Sequence, residues 1–129
     1  MIKKHLINIF WNKPSFESEK EEFERTAKEL NLSFEVLKNA FKSGQVKQLT
    51  NNIWQKLENT DSWQTDTMEK VKKLAEEYNK DLDSIINAKK LPMPIILKNK
   101  NEYYLIAGNT RLMYSRANKI NPQIFLITL

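Results

Sequence analysis

YYLIAGNTRLMYSRANKINPQIFLITL, residues 103–129, reads as strand, tight turn, helix and strand. Tyr103-Tyr104-Leu105-Ile106-Ala107 is apolar and aromatic, the composition of a buried strand. Gly108-Asn109-Thr110-Arg111 breaks it, and Leu112-Met113-Tyr114-Ser115-Arg116-Ala117 resumes with helical spacing. Residues 123–129 close the stretch with Ile124, Phe125, Leu126 and Ile127. Gly108 is one of two glycines in 129 residues, and it falls where a strand must turn sharply into a helix. Glycine there admits a positive φ and lets a ligand approach the backbone closely. The amides that follow open a helix N-terminus, which favours anions. Arg111 adds a forked cation in the first helical turn, a geometry suited to phosphate. The stretch is therefore expected to cradle an anion, with phosphate the best chemical match. The same residues also fit an ordinary strand–glycine–helix turn in which Asn109 or Thr110 is merely the helix N-cap.

Upstream, Pro94-Ile95-Ile96-Leu97 begins another apolar strand, and Asn99-Lys100-Asn101 supplies a hairpin turn between the two. A helix is expected over 67–78. The order of helix, Pro-Ile strand, hairpin, second strand, Gly-x-x-Arg helix, short polar loop and last strand resembles the ParB/sulfiredoxin-like (ParB N-terminal-like) fold family. The resemblance covers the second half of the chain and looks closest to small phage- or plasmid-type members with a Gly-Asn-Thr-Arg motif. It implies that Gly108, Asn109, Thr110 and Arg111 hold the phosphates of a nucleotide of ATP or CTP type, and it allows Mg²⁺ beside them. Family members include a CTP-binding DNA-segregation protein, an ATP-dependent sulfinic-acid reductase, a free-serine kinase and nucleases. The absence of cysteine excludes the reductase chemistry. Thr110 stands where many members carry His or Arg, which weakens the transfer of any particular reaction.

Composition narrows the other classes. The length fits one domain with room for a small helical annex, and 40% hydrophobic residues can form a core. Without cysteine there are no disulfides or thiolate metal sites, as expected of a protein from a reducing cytoplasm. A single histidine, His5, leaves no zinc site that needs two imidazoles, and no residue set is read as a metal site. Net charge is +5, with 11 basic and 7 acidic residues from Asp66 onward against 10 and 9 before it. That excess suits a nucleotide, or weak and non-specific contact with nucleic acid, but not a dense DNA-binding stripe. No apolar run approaches the ~20 residues that span a bilayer, and residues 1–11 are too short for a secretory signal.

The first half reads as helical. Ile2, Leu6, Ile9 and Phe10 fit a short helix, while residues 6–11 also fit a strand; Pro14 ends either one. Ser18 with Glu21 forms a capping-box pattern, Ser15 being the alternative cap, and Phe16, Phe23, Ala27 and Leu30 share the next helical face. The charges around Glu21, Glu24, Arg25 and Lys28 read as a solvated face. Ser33 starts a second helix with Phe34, Leu37, Ala40 and Phe41 inward, and Gly44 stops it. A third helix is expected over 46–58, with Val46, Leu49, Ile53 and Leu57 as its stripe. A DNA-reading helix-turn-helix over 34–58 is the minor alternative to a helical cap, since only Lys42 and Lys47 lie near the turn. Asn59-Thr60-Asp61-Ser62 is a turn that caps the next helix or brings Asp61 to a ligand or its metal. Trp63 would pack in the core or stack on a base. Thr65 or Asp66 starts a fourth helix with Met68, Val71, Leu74, Ala75 and Tyr78 inward, and Asp81 starts a short fifth.

Together these readings give an α/β (α+β) fold, a helical N-terminal half packed on a small mixed sheet. Residues 1–62 form the helical region and 63–129 the phosphate-binding core, as one compact unit. Gly108, Asn109, Thr110 and Arg111 are the expected phosphate ligands. Asp61 and Glu102 are the candidate carboxylates for Mg²⁺ or general-base work. Three functions stay open: a nucleotide-binding protein of phage or plasmid DNA biology, a phosphotransferase or nuclease using the same cradle, and a structural or interaction protein that keeps the fold without the ligand. The expected setting is the cytoplasm of a bacterial or phage-infected cell, with no membrane partner.

Overall fold

Three consecutive buried residues, Ile95, Ile96 and Leu97, mark the central strand, since a strand buries successive side chains when both of its faces are covered. The computed structural model describes residues 9–129 and has an α+β architecture. Strand β4 (Ile95–Asn99) pairs antiparallel with β5 (Glu102–Ala107) through a hairpin in which Lys100 takes φ +60. From β5 the chain enters helix α6 (Asn109–Ala117) and returns as β6 (Gln123–Thr128), parallel to β4 with Ile95 opposite Phe125. The four-stranded sheet runs β2-β6-β4-β5, where β2 is Gln45–Gln48, antiparallel to β6. A separate parallel pair joins β1 (Phe10–Asn12) to β3 (Lys90–Pro92).

Alternation along the strands divides the core. Ile95, Leu97, Phe125 and Ile127 face helices α1 (Lys20–Leu30) and α2 (Phe34–Lys42), meeting Phe23 and Leu37. Ile96, Ile124 and Leu105 face the other way, against Leu112 of α6 and Trp54 of α3 (Asn51–Lys56). A third cluster seats α4 (Met68–Glu77) and α5 (Leu82–Ile86) on α6 through Val71, Ala75, Leu82, Met113 and Tyr114. Phe16 sits 4.7 Å from Phe23 and 5.5 Å from both Phe34 and Phe41, an aromatic knot that fixes the entry to α1.

Several local expectations change. The helix expected over 46–58 is strand β2 followed by the shorter α3. Val46 is 45% exposed on the sheet edge, and Thr50 caps the helix by accepting from the Ile53 amide at 3.2 Å. The spacing of Val46, Leu49, Ile53 and Leu57 mimics a helical stripe, but β6 needs a partner on its free side and 45–48 provides it. That strand also removes the helix-turn-helix over 34–58. Ser15, not Ser18, accepts from a backbone amide, that of Ser18 at 3.0 Å. Helix α4 starts after Thr67, which accepts from the Lys70 amide at 3.3 Å, while Asp66 instead pairs with Lys70. Tyr78 caps α4 and is 44% exposed, not inward. Of the first segment, residues 10–12 are strand; Ile2, His5 and Leu6 lie outside the described residues. Among the described residues no helix is long and apolar enough to cross a membrane.

Candidate functional site

Gly108 joins β5 to α6 with φ +111 and ψ 22, a conformation that side-chain-bearing residues rarely adopt. Pro94, at the start of the central strand, crowds the same spot. A methyl group added at Gly108 would lie 2.8 Å from Pro94 Cβ and 2.9 Å from its Cα. The Gly108 carbonyl accepts the first intrahelical bond, from the Leu112 amide at 2.9 Å. The opening amides of α6 therefore have no carbonyl within the helix to meet them, and its positive dipole end faces the same way.

The motif's side chains are held individually. Asn109 accepts from the Thr60 hydroxyl at 2.5 Å, which ties the 59–62 turn to the start of α6. Asn59 grips Leu105 by both backbone groups, accepting from its amide and donating to its carbonyl, each at 2.7 Å. Ser62 is buried and accepts from the Trp54 indole at 2.8 Å. Trp63 packs edge-on to Trp54, and its ring carries the Arg116 guanidinium 3.6 Å above its centre. Trp63 is therefore a platform for an internal cation. Thr110 is buried.

Arg111 is the charged centre. Its side chain is 12% exposed; one Nη donates to the Pro92 carbonyl at 2.5 Å, and the other stands 3.8 Å from the Glu19 carboxylate, itself 16% exposed. Glu19 ends a 3-10 turn, Glu17–Glu19, directly ahead of α1. Burial presses the Arg111 guanidinium below its usual range, against the opposing pull of Glu19 and Glu22. Burial likewise lifts the Glu19 carboxyl above the ordinary range; Arg111 lowers it and Glu22 raises it further. For both partners desolvation is the largest influence, so the pair is incompletely compensated.

A cleft of about 390 Å³ opens over these residues, walled by 108–111, Glu19 and Lys80. A neighbouring cleft of about 460 Å³ shares Gly108, Asn109, Glu22 and Lys80 and extends to Asn59, Arg25 and Tyr78. Arg25 binds Glu22 at 2.5 Å and donates to the Ile106 carbonyl at 3.1 Å.

Gly108, Asn109, Thr110 and Arg111 thus share one cleft wall, whereas the two expected carboxylates stand off it. Asp61 follows Thr60 but turns to the Tyr78 hydroxyl at 3.5 Å. Glu102 opens β5 opposite Asn99, at the end of the strand away from Gly108. The carboxylate beside Arg111 is Glu19. It belongs to a charged run that reads as a solvated face, and no spacing rule links it to the motif. Among the described residues no three His, Cys, Asp or Glu side chains gather as a metal cage. A Mg²⁺ arriving on a nucleotide's phosphates needs only one or two protein carboxylates, and Glu22 also lines this cleft.

Comparison with protein-family models, with curated proteins and with solved structures finds no match.

Proposed function

We propose that this chain binds a phosphate-bearing ligand, a nucleotide of ATP or CTP type, at the N-terminus of α6. The observation that carries the reading is Gly108 at φ +111, packed on Pro94 and opening a nine-residue helix whose first turn brings Arg111 to the cleft. The hairpin, glycine turn, helix and parallel return strand support kinship with the ParB/sulfiredoxin-like fold, and with it a role in phage or plasmid DNA biology in the bacterial cytoplasm. Any contact with nucleic acid would be weak and fade with added salt, because the basic residues are scattered among acids. Phosphotransferase or nuclease chemistry needs a base or metal against the reacting phosphorus; Asp61 meets Tyr78 and Glu102 opens the far end of β5, so neither lines the cleft over Arg111.

One observation favours a second reading, a structural or interaction protein without ligand: Arg111 already faces Glu19 and holds Pro92. Thermal unfolding with each common nucleotide, with and without Mg²⁺, separates the two. At ~100 times its dissociation constant a bound nucleotide adds about 2.7 kcal/mol. For a chain of this size that is a rise in Tm of roughly 10 °C. No shift with any nucleotide supports the ligand-free protein.

A further inference from the structure

We propose that Glu19 is a resident competitor for the phosphate position, a built-in carboxylate that a ligand must displace from Arg111. This inference rests on the reading of 108–111 as a phosphate site and describes how that site is controlled. The contact is long: 3.8 Å lies beyond the 2.7–2.9 Å of a charge-assisted hydrogen bond, so the Nη facing Glu19 is attracted but not satisfied. The other Nη, bonded to Pro92, stays where it is. A phosphate oxygen entering the cleft therefore meets an available donor on Arg111 and has only the carboxylate to move.

Glu19 is also delivered from a firm base. Its amide donates to the Phe16 carbonyl at 3.2 Å, and the Phe16 ring is locked among Phe23, Phe34 and Phe41. Ser15 and Ser18 hold the preceding turn with mutual bonds of 3.0 to 3.1 Å. The backbone thus keeps the carboxyl opposite Arg111, and the flexible side chain is the part that can swing away. Its largely buried carboxylate, whose pKa burial raises, gains from the return to water when phosphate takes its place.

Calorimetric titration with inorganic pyrophosphate tests the competition. Glu19→Gln and Glu19→Ala are expected to bind pyrophosphate roughly tenfold more tightly than the wild type, a change of ~1.4 kcal/mol. Glu22→Gln removes the same charge from the same cleft but from a residue paired with Arg25, and should gain less than about twofold. Adding Arg111→Ala to Glu19→Gln should abolish the gain. Wild-type binding that Glu19→Gln and Glu19→Ala leave unchanged or weaken overturns the competition while sparing the site. An equal gain in Glu22→Gln also overturns it, by reducing the effect to net charge. Absence of binding in the wild type and both Glu19 variants removes the phosphate site and the competitor together.

Discussion

Valine at position 108 should lower the stability of the fold by about 3 kcal/mol. Two costs combine. A β-branched residue held at φ +111 carries backbone strain on the order of 1–3 kcal/mol. Its Cβ also meets Pro94 Cβ at 2.8 Å and Cα at 2.9 Å, and Pro94, directly ahead of the central strand, is held by the Phe125 amide donating to its carbonyl at 2.9 Å, so its backbone cannot retreat freely. Overpacking of that kind adds about 1–3 kcal/mol. Alanine shares both the dihedral and the Cβ, so Gly108→Ala should lose most of the same amount. Urea unfolding measures this as a lower midpoint at unchanged slope. An alanine variant within about 0.5 kcal/mol of the wild type would mean that position 108 is not held in this conformation.

At the other glycine the expected loss is similar and the cause is different. Gly44 has no positive φ; it is small because the Phe125 ring lies over it. A methyl group there would stand 3.0 Å from Phe125 Cδ2 and closer still to Cε2 and Cζ. Phe125 is fully buried and packs 4.9 Å from Phe41, so the ring has nowhere to go. Gly44→Ala should cost about 2–3 kcal/mol. Phe125→Leu alone should cost about 1 kcal/mol, since it trims the ring and keeps an apolar side chain. The double variant should be more stable than the sum of the two losses by at least ~1 kcal/mol, because the smaller side chain gives the new methyl group room. Strict additivity would show that Gly44 and Phe125 do not compete for space.

These two glycines also show what the sequence could and could not reveal. Gly108 was legible because strand and helix periodicities meet at a single residue, and only one backbone geometry makes that turn. Gly44 was legible as the end of α2 but not as the floor beneath Phe125, a contact across most of the chain. The run from Ile95 to Thr128 declared its elements through dense apolar patterns, and α1 and α2 through their phenylalanine stripes. Strand β2 did not, because Val46 lies on an open edge and its spacing to Leu49 and Ile53 copies a helix. Tyr78 looked like a core residue by its position in the α4 stripe, yet the helix ends there and the ring emerges beside Asp61. At the site, the motif 108–111 could be read from adjacent residues. Glu19 could not, because its place opposite Arg111 is set by the packing of Phe16 and the turn before α1.

The most direct test of the phosphate site is to follow the backbone amides of the ¹⁵N-labelled protein while CTP, ATP or pyrophosphate is added. Binding at the α6 N-terminus should move the amide resonances of Gly108, Asn109, Thr110 and Arg111 together along one saturation curve, with the Arg111 side-chain signal following. The amide of Glu102, at the far end of β5, should stay in place. Shifts confined to the lysine-bearing face of α4, around Lys72 and Lys73, with 108–111 unmoved at saturating ligand, would contradict a phosphate site at the glycine turn.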